Sequence, residues 1–143
     1  MSMDDIAYMD MARLISKYST CTRLNVGAVI VIDKRIVSTG YNGAPSGLFH
    51  CSHDDLTHCK RSVHAEVNAI AFAAKHGIAT NNSVLYTTDL PCLACAQMII
   101  NSGIVEVNYG KEYRNTDGRE LFTEAELPIK KIRGSRVYTV SPT

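Results

Sequence analysis

The chain has 143 residues, 45% apolar and 20% charged, with 15 Lys and Arg against 14 Asp and Glu for a net charge of +1. That length suits a single domain over residues 1–143, with a core large enough to do without disulfides. The near-neutral balance excludes a global basic field for duplex nucleic acid, no apolar stretch reaches the roughly 20 residues that cross a bilayer, and the acidic start MSMDDIAYMD lacks a signal-peptide layout; a soluble, cytoplasmic protein is expected.

Over residues 4–19, Ile6, Tyr8, Met9, Met11, Ala12, Leu14 and Ile15 recur at helical spacing. Residues 26–32 (VGAVIVI) form a nearly unbroken apolar run, and 35–41 alternate. Asp33 and Lys34 between them predict a β-hairpin with a tight turn. Residues 42–62 are rich in Gly, Pro, Ser, His and Asp and read as a loop of about 20 residues. A loop that long inside a compact domain needs a reason, and a bound metal would supply one. Residues 64–76 (HAEVNAIAFAAKH) are Ala-rich and stop at Gly77, a good helix end. A buried strand follows over 83–88, then a helix opened by Pro91 that runs to 100 and is stopped by Asn101-Ser102-Gly103. The remainder reads as a strand over 104–109, a polar loop over 110–118, a helix over 119–126, and short extended pieces at 129–133 and 136–140. Strands alternating with helices predict a helix-covered sheet, with parallel pairs in its second half.

Five cysteines, Cys21, Cys51, Cys59, Cys92 and Cys95, are an odd count without an export signal, which argues against a disulfide framework. Two short pieces carry chemistry: His64-Ala65-Glu66 and Pro91-Cys92-Leu93-Ala94-Cys95. Each is ambiguous alone. A Glu near a helix start also complements the helix dipole, and a Cys-x-x-Cys also reads as a redox pair or a structural half-site. Together they place one His and two Cys, 28 and 31 residues apart, at predicted helix N-termini. Three N/S ligands suit Zn²⁺ and leave its fourth position open, as a catalytic site requires. The helix N-termini favour thiolate over thiol. Glu66, two positions from the histidine, can reach a water on the metal without binding the metal, take its proton and deliver it elsewhere. H-x-E followed by P-C-x-x-C is the signature of zinc-dependent nucleobase deaminases. The expected chemistry is hydrolysis at a carbon bearing an exocyclic amine, leaving a carbonyl and ammonia.

The segments CTRLNVGAVIV (21–31), STGYNGAPSG (38–47), VHAEVNAI (63–70), LYTTDLPCLACAQMIINSGI (85–104) and YRNTDG (113–118) together resemble the deoxycytidylate (dCMP) deaminase family of the zinc-dependent cytidine deaminase superfamily. The likeness spans about residues 6–118. It implies a three-layer α/β/α fold with about five strands in a mixed sheet flanked by helices, and conversion of dCMP to dUMP and ammonia. It implies His64, Cys92 and Cys95 as ligands of the catalytic zinc and Glu66 as the proton shuttle. It places Asn42, beside the sugar, and Ala65 in the substrate site, and Arg23, Tyr113 and Arg114 at the 5′-phosphate. A monophosphate dianion does call for Arg forks and hydroxyl donors; a solvated surface charge is the plain alternative for each Arg. Asn42-Gly43 also reads as a turn.

The resemblance further implies a homo-oligomer, a hexamer, activated by dCTP and inhibited by dTTP with Mg²⁺. Its effector site would use Gly40, Tyr41, Gly43 and Ala44, where glycine backbone N–H groups can approach a triphosphate. An ordinary turn is the alternative. Phage and bacterial members of the family have a second, structural zinc, which here implies Cys21, Cys51, His53 and Cys59, with His58 as the rival fourth ligand; reduced, partly buried thiols are the other reading. His50 and His76 read as surface histidines. The sequence departs from the family late, where LFTEAELPIKKIRGSRVYTV carries Pro128 and a short basic end. The nearest rivals are deamination of deoxycytidine or of a nucleic-acid base, and a non-catalytic zinc module that senses nucleotides.

Overall fold

The structure, a computed structural model, describes residues 3–21, 23–50, 61–113 and 115–136. The hairpin forms where an apolar run meets an alternating one. β1 (Gly27–Ile32) and β2 (Arg35–Tyr41) pair antiparallel, and Asp33 (φ 50°) and Lys34 (φ 64°) make the two-residue turn. Two successive left-handed residues give the turn whose twist matches that of the strands.

α1 (Met3–Ser16) precedes the hairpin. It contains every apolar position of the expected helix but ends three residues before Ser19. The N–H groups of Lys17, Tyr18 and Ser19 bond the carbonyls three residues back, so the helix tightens and ends there. After the hairpin come α2 (Ala65–Lys75), β3 (Val84–Asp89), α3 (Leu93–Asn101), β4 (Glu106–Lys111), α4 (Asp117–Glu124) and β5 (Ile129–Lys131). The strand order is β2-β1-β3-β4-β5; β1 runs antiparallel to β2 and β3, and β3/β4 and β4/β5 are parallel. This is the five-stranded mixed sheet expected, with the parallel pairs in the second half.

Alternate strand residues face opposite layers. Ala28, Ile30, Leu85 and Val107 pack against α2, α3 and α4, which contribute Ala65, Ala69, Cys95, Ala96, Ile99 and Phe122. Val29, Val31 and Tyr86 face α1, with its Met9 and Ala12. Two glycines set the spacing of these layers. A Cβ on Gly27 would lie 2.0 Å from the Ala12 carbonyl oxygen, and one on Gly40 would lie 2.2 Å from that of Ala65 and 2.6 Å from the Ala69 nitrogen. Each helix therefore rests on bare strand backbone. Ser38 Oγ also donates to the Ala69 carbonyl at 2.6 Å, tying α2 to β2.

Residues 134–136 fold back on α1. Arg13 Nη1 donates to the Gly134 carbonyl at 2.8 Å, and Asp10 accepts from Ser135 Oγ and the Arg136 N–H, both at 2.7 Å. Asp5 is likewise held by the Tyr86 hydroxyl at 2.6 Å and Lys130 Nζ at 3.2 Å. The extended piece expected at 129–133 is β5; that expected at 136–140 lies outside the described residues beyond Arg136. No described helix is long and apolar enough to cross a membrane.

Candidate active site

Two chain entries into helices bring the metal-ligating residues together. His64 is the N-cap of α2 and Cys92 the N-cap of α3; both backbones are extended and neither side chain caps its helix. Cys95 lies one turn into α3 and is buried. His64 Nδ1 sits 3.2 Å from Cys95 Sγ and 3.5 Å from Cys92 Sγ, and the three donor atoms lie within 4.8 Å of one another. Around a tetrahedral zinc with ordinary Zn–N and Zn–S bonds, a nitrogen and a sulfur ligand stand about 3.6 Å apart. The donors thus have the identity and the spacing of three zinc ligands.

Their electrostatics point the same way. The Cys95 thiol, and then His64, hydrogen-bond Cys92 and bring its thiol down to about 4. The same bond to Cys92, together with burial and Glu66, pushes Cys95 up. The bond to Cys92 also raises His64. Two adjacent sulfurs without a cation cannot both carry charge; a divalent ion between them lets both be thiolates.

Glu66 follows one residue into α2 and is 4% exposed. Its Oε1 accepts from Thr87 Oγ1 at 2.8 Å, and Oε2 lies 3.5 Å from Cys95 Sγ. Burial pushes its carboxyl up, against the pull of its own backbone N–H, Thr87 and His64. A desolvated carboxylate pointed at the donor cluster and fixed from behind is suited to hold and pass on a proton.

The cluster opens into a cavity of about 660 Å³, within the range of small-molecule sites. Its walls include Cys21, Arg23, Asn42, Ala65 and Tyr113, all named from the sequence, and also Leu24, Val26, Asp89, Leu90, Lys111 and Glu112. Asn42 is buried and clamps the entry to β1: its Oδ1 accepts from the Val26 N–H at 2.8 Å and its Nδ2 donates to the Leu24 carbonyl at 2.6 Å. Gly40, Tyr41, Gly43 and Ala44 are not part of this wall. Gly40 lies within β2 under α2, and the Gly43 N–H already donates to the Val63 carbonyl at 3.1 Å. Arg114 and the second group of candidate ligands, Cys51, His53, His58 and Cys59, lie outside the described residues. His50 and His76 are exposed, as expected.

Thr87 and Asp89 had no signal of their own in the sequence. β3 is buried almost throughout, so its apolar content marks no face. The clue lies in strand alternation: Thr87 and Asp89 share one face, and Thr87 stands where a polar residue needs a partner. Lys111 lies across from Asp89 in register. Desolvation raises the Asp89 carboxyl, and the Lys111 charge pulls it back.

A family model of the cytidine and deoxycytidylate deaminase zinc-binding region matches residues 2–111. The chain is 38% identical over 130 residues to ComE operon protein 2 of Bacillus subtilis (strain 168), covering 87% of this chain and 69% of that one. It is 36% identical over 124 residues to the deoxycytidylate deaminase of Mycobacterium phage D29, covering 76% of this chain and 94% of that one. Among solved structures, dCMP deaminase from the cyanophage S-TIM5 in complex with dCMP and dUMP matches with a TM-score of 0.84 at 37% identity, over 88% of this chain and 94% of that one. The chain spans less than half the length, 37% and 44%, of the deoxycytidylate deaminases of Schizosaccharomyces pombe and Saccharomyces cerevisiae that it also matches. With its α/β/α layers, its His/Cys/Cys cluster and these likenesses, the chain belongs to the zinc-dependent cytidine and deoxycytidylate deaminase family.

Proposed function

We propose that the chain is a deoxycytidylate deaminase that hydrolyses dCMP to dUMP and ammonia. The observation that carries this reading is the buried Glu66 carboxylate, held by Thr87 beside three convergent zinc-type donors. His64, Cys92 and Cys95 would hold the zinc, which would supply a water of lowered pKa and Lewis acidity at the reacting carbon. Glu66 accepts the proton released by the attacking water. It delivers that proton to the ring nitrogen beside the amine-bearing carbon, then takes the second proton from the added hydroxyl as the carbonyl forms and passes it to the departing amine, which leaves as ammonia. Thr87 keeps the carboxylate aimed through both transfers. Glu66 is buried, which keeps bulk water from the base.

Preference for a 5′-monophosphate is supported by the dCMP-complexed relative and by Arg23 and Tyr113 on the cavity wall; the proposal adds Arg114, which lies outside the described residues, as a further phosphate ligand. The proposal gives Asn42, on the same wall, the contact with the sugar. The proposal extends to a structural zinc on Cys21, Cys51, His53 and Cys59, supported by the donor types; the last three lie outside the described residues. It extends also to a cytoplasmic hexamer with dCTP as activator and dTTP as inhibitor, each with Mg²⁺. Of the four effector residues, Tyr41 presents an exposed side chain, and Gly40 and Gly43 are buried.

Ammonia release from dCMP, CMP and deoxycytidine, each with and without Mg²⁺–dCTP, tests the reading. Turnover of dCMP is expected, raised by dCTP. Turnover of deoxycytidine alone would overturn the phosphate assignments and leave the zinc site standing. Glu66→Gln is expected to keep its zinc and lose about 10³-fold or more in kcat; full activity in that variant would sink the mechanism.

A further inference from the structure

Glu112 lines the mouth of the substrate cavity beside Tyr113, and nothing in the mechanism uses it. Its presence there is awkward. A cavity that admits a phosphate dianion should not show it a bare carboxylate, because like charges face to face oppose association. The structure holds that carboxylate from outside the cavity. Arg119, on α4, donates from Nη2 to Glu112 Oε2 at 2.7 Å and to the Tyr109 hydroxyl at 2.8 Å. The Tyr109 hydroxyl in turn donates to Glu112 Oε1 at 2.9 Å. The three groups close a ring. The guanidinium also lies over the Tyr109 ring, 5.4 Å from its centroid, and Tyr109 is buried in β4. Arg119 is not itself part of the cavity wall.

We infer that Arg119 is a positioning residue for an anionic substrate: by drawing Glu112 toward α4 and cancelling its charge, it leaves the cavity mouth open to a phosphate. Hydrogen bonds from Tyr109, and then from Arg119, hold the Glu112 carboxyl below the usual range, so it is ionised and its charge has to be cancelled rather than protonated away. The inference rests on the phosphorylated-substrate reading above. The ion pair is half-exposed and adds little to stability on its own. Its effect belongs in substrate capture.

The test is steady-state kinetics on dCMP with the zinc-loaded enzyme as wild type, Arg119→Gln, Glu112→Gln and the double variant, at low and high salt. Arg119→Gln is expected to raise KM about three- to tenfold at low salt with kcat within about twofold. Glu112→Gln alone is expected to leave KM unchanged or lower it, since the charge it removes is already cancelled. The double variant is expected to return to within about twofold of wild type, and high salt to shrink the Arg119→Gln defect. An unchanged KM in Arg119→Gln overturns the inference. So does a double variant as poor as Arg119→Gln, which would make the ring a purely structural strut. If Arg119→Gln does not fold, a severalfold KM rise in Glu112→Gln overturns it, because Glu112 would then contact the substrate directly. Absence of wild-type turnover on dCMP is a different result: it removes the parent reading.

Discussion

On one face of the sheet α1 lies against Gly27; on the other α2 lies against Gly40, at nearly the same closeness. The two contacts differ in what surrounds them. Around α1 the polar groups are staples: Asp5 takes Tyr86 and Lys130, and Asp10 takes Arg13, Ser135 and the Arg136 N–H. Around α2, Ser38 and Asn68 also tie the helix to β2, but His64 and Glu66 at its start line the cavity, with Thr87 holding Glu66. A close helix–strand contact therefore serves two ends. Under α1 it secures a cover, whereas under α2 it fixes where a carboxylate points.

The comparison breaks most visibly at Thr87. Thr87→Val keeps the shape of the side chain and removes the hydroxyl that holds Glu66. About 10- to 100-fold is expected to be lost from kcat, with zinc content unchanged. An unaffected kcat would mean that the helix alone aims the carboxylate. Next come the paired glycines. Gly27→Ala and Gly40→Ala each force a helix off the sheet and are expected to cost about 1–3 kcal/mol or more, read as a drop in Tm of several degrees. Only Gly40→Ala is expected to cut kcat as well, because its clash is with the carbonyl of the residue before Glu66. Equal losses of kcat in both variants would erase the distinction between the faces. The smallest effect is on the α1 side. Burial alone would raise the Asp10 carboxyl, but the Arg136 N–H, Ser135 and Arg13 bring it below its ordinary value. A depressed folded value gives stability that is complete above the unfolded value of about 3.9 and is lost as pH falls through the folded one. Asp10→Asn is expected to lower Tm slightly at pH 7 and to flatten its dependence below about pH 4, with kcat unchanged. A pH–Tm series on both proteins checks this.

Much of this was legible in the residues. The change from an unbroken apolar run to an alternating one located the turn at Asp33 and Lys34. The two motifs located His64, Glu66, Cys92 and Cys95, because metal chemistry restricts both residue type and spacing. What stayed hidden depends on contacts between distant elements. Thr87 sits in a strand buried almost throughout, where period carries no information. Gly40 falls within the alternating run 35–41, and nothing in that pattern shows that α2 rests on it. Arg119 looks like any charge on an exposed helix turn until α4 folds back over β4. The end of α1 differed because apolar spacing stops at Ile15 whereas the polar residues after it fit either a helix or a tightened turn.

His64 comes from the half of the chain that builds the antiparallel hairpin, and Cys92 and Cys95 come from the half that builds the parallel strands. The seam between the halves is the ladder of β1 against β3. An ion gripped from both sides is a rivet across that seam. Neither half presents the complete ligand set, so the three-donor site exists only where the two halves are docked. Stripping the ion from the finished protein should loosen the molecule along that line before it loosens either half.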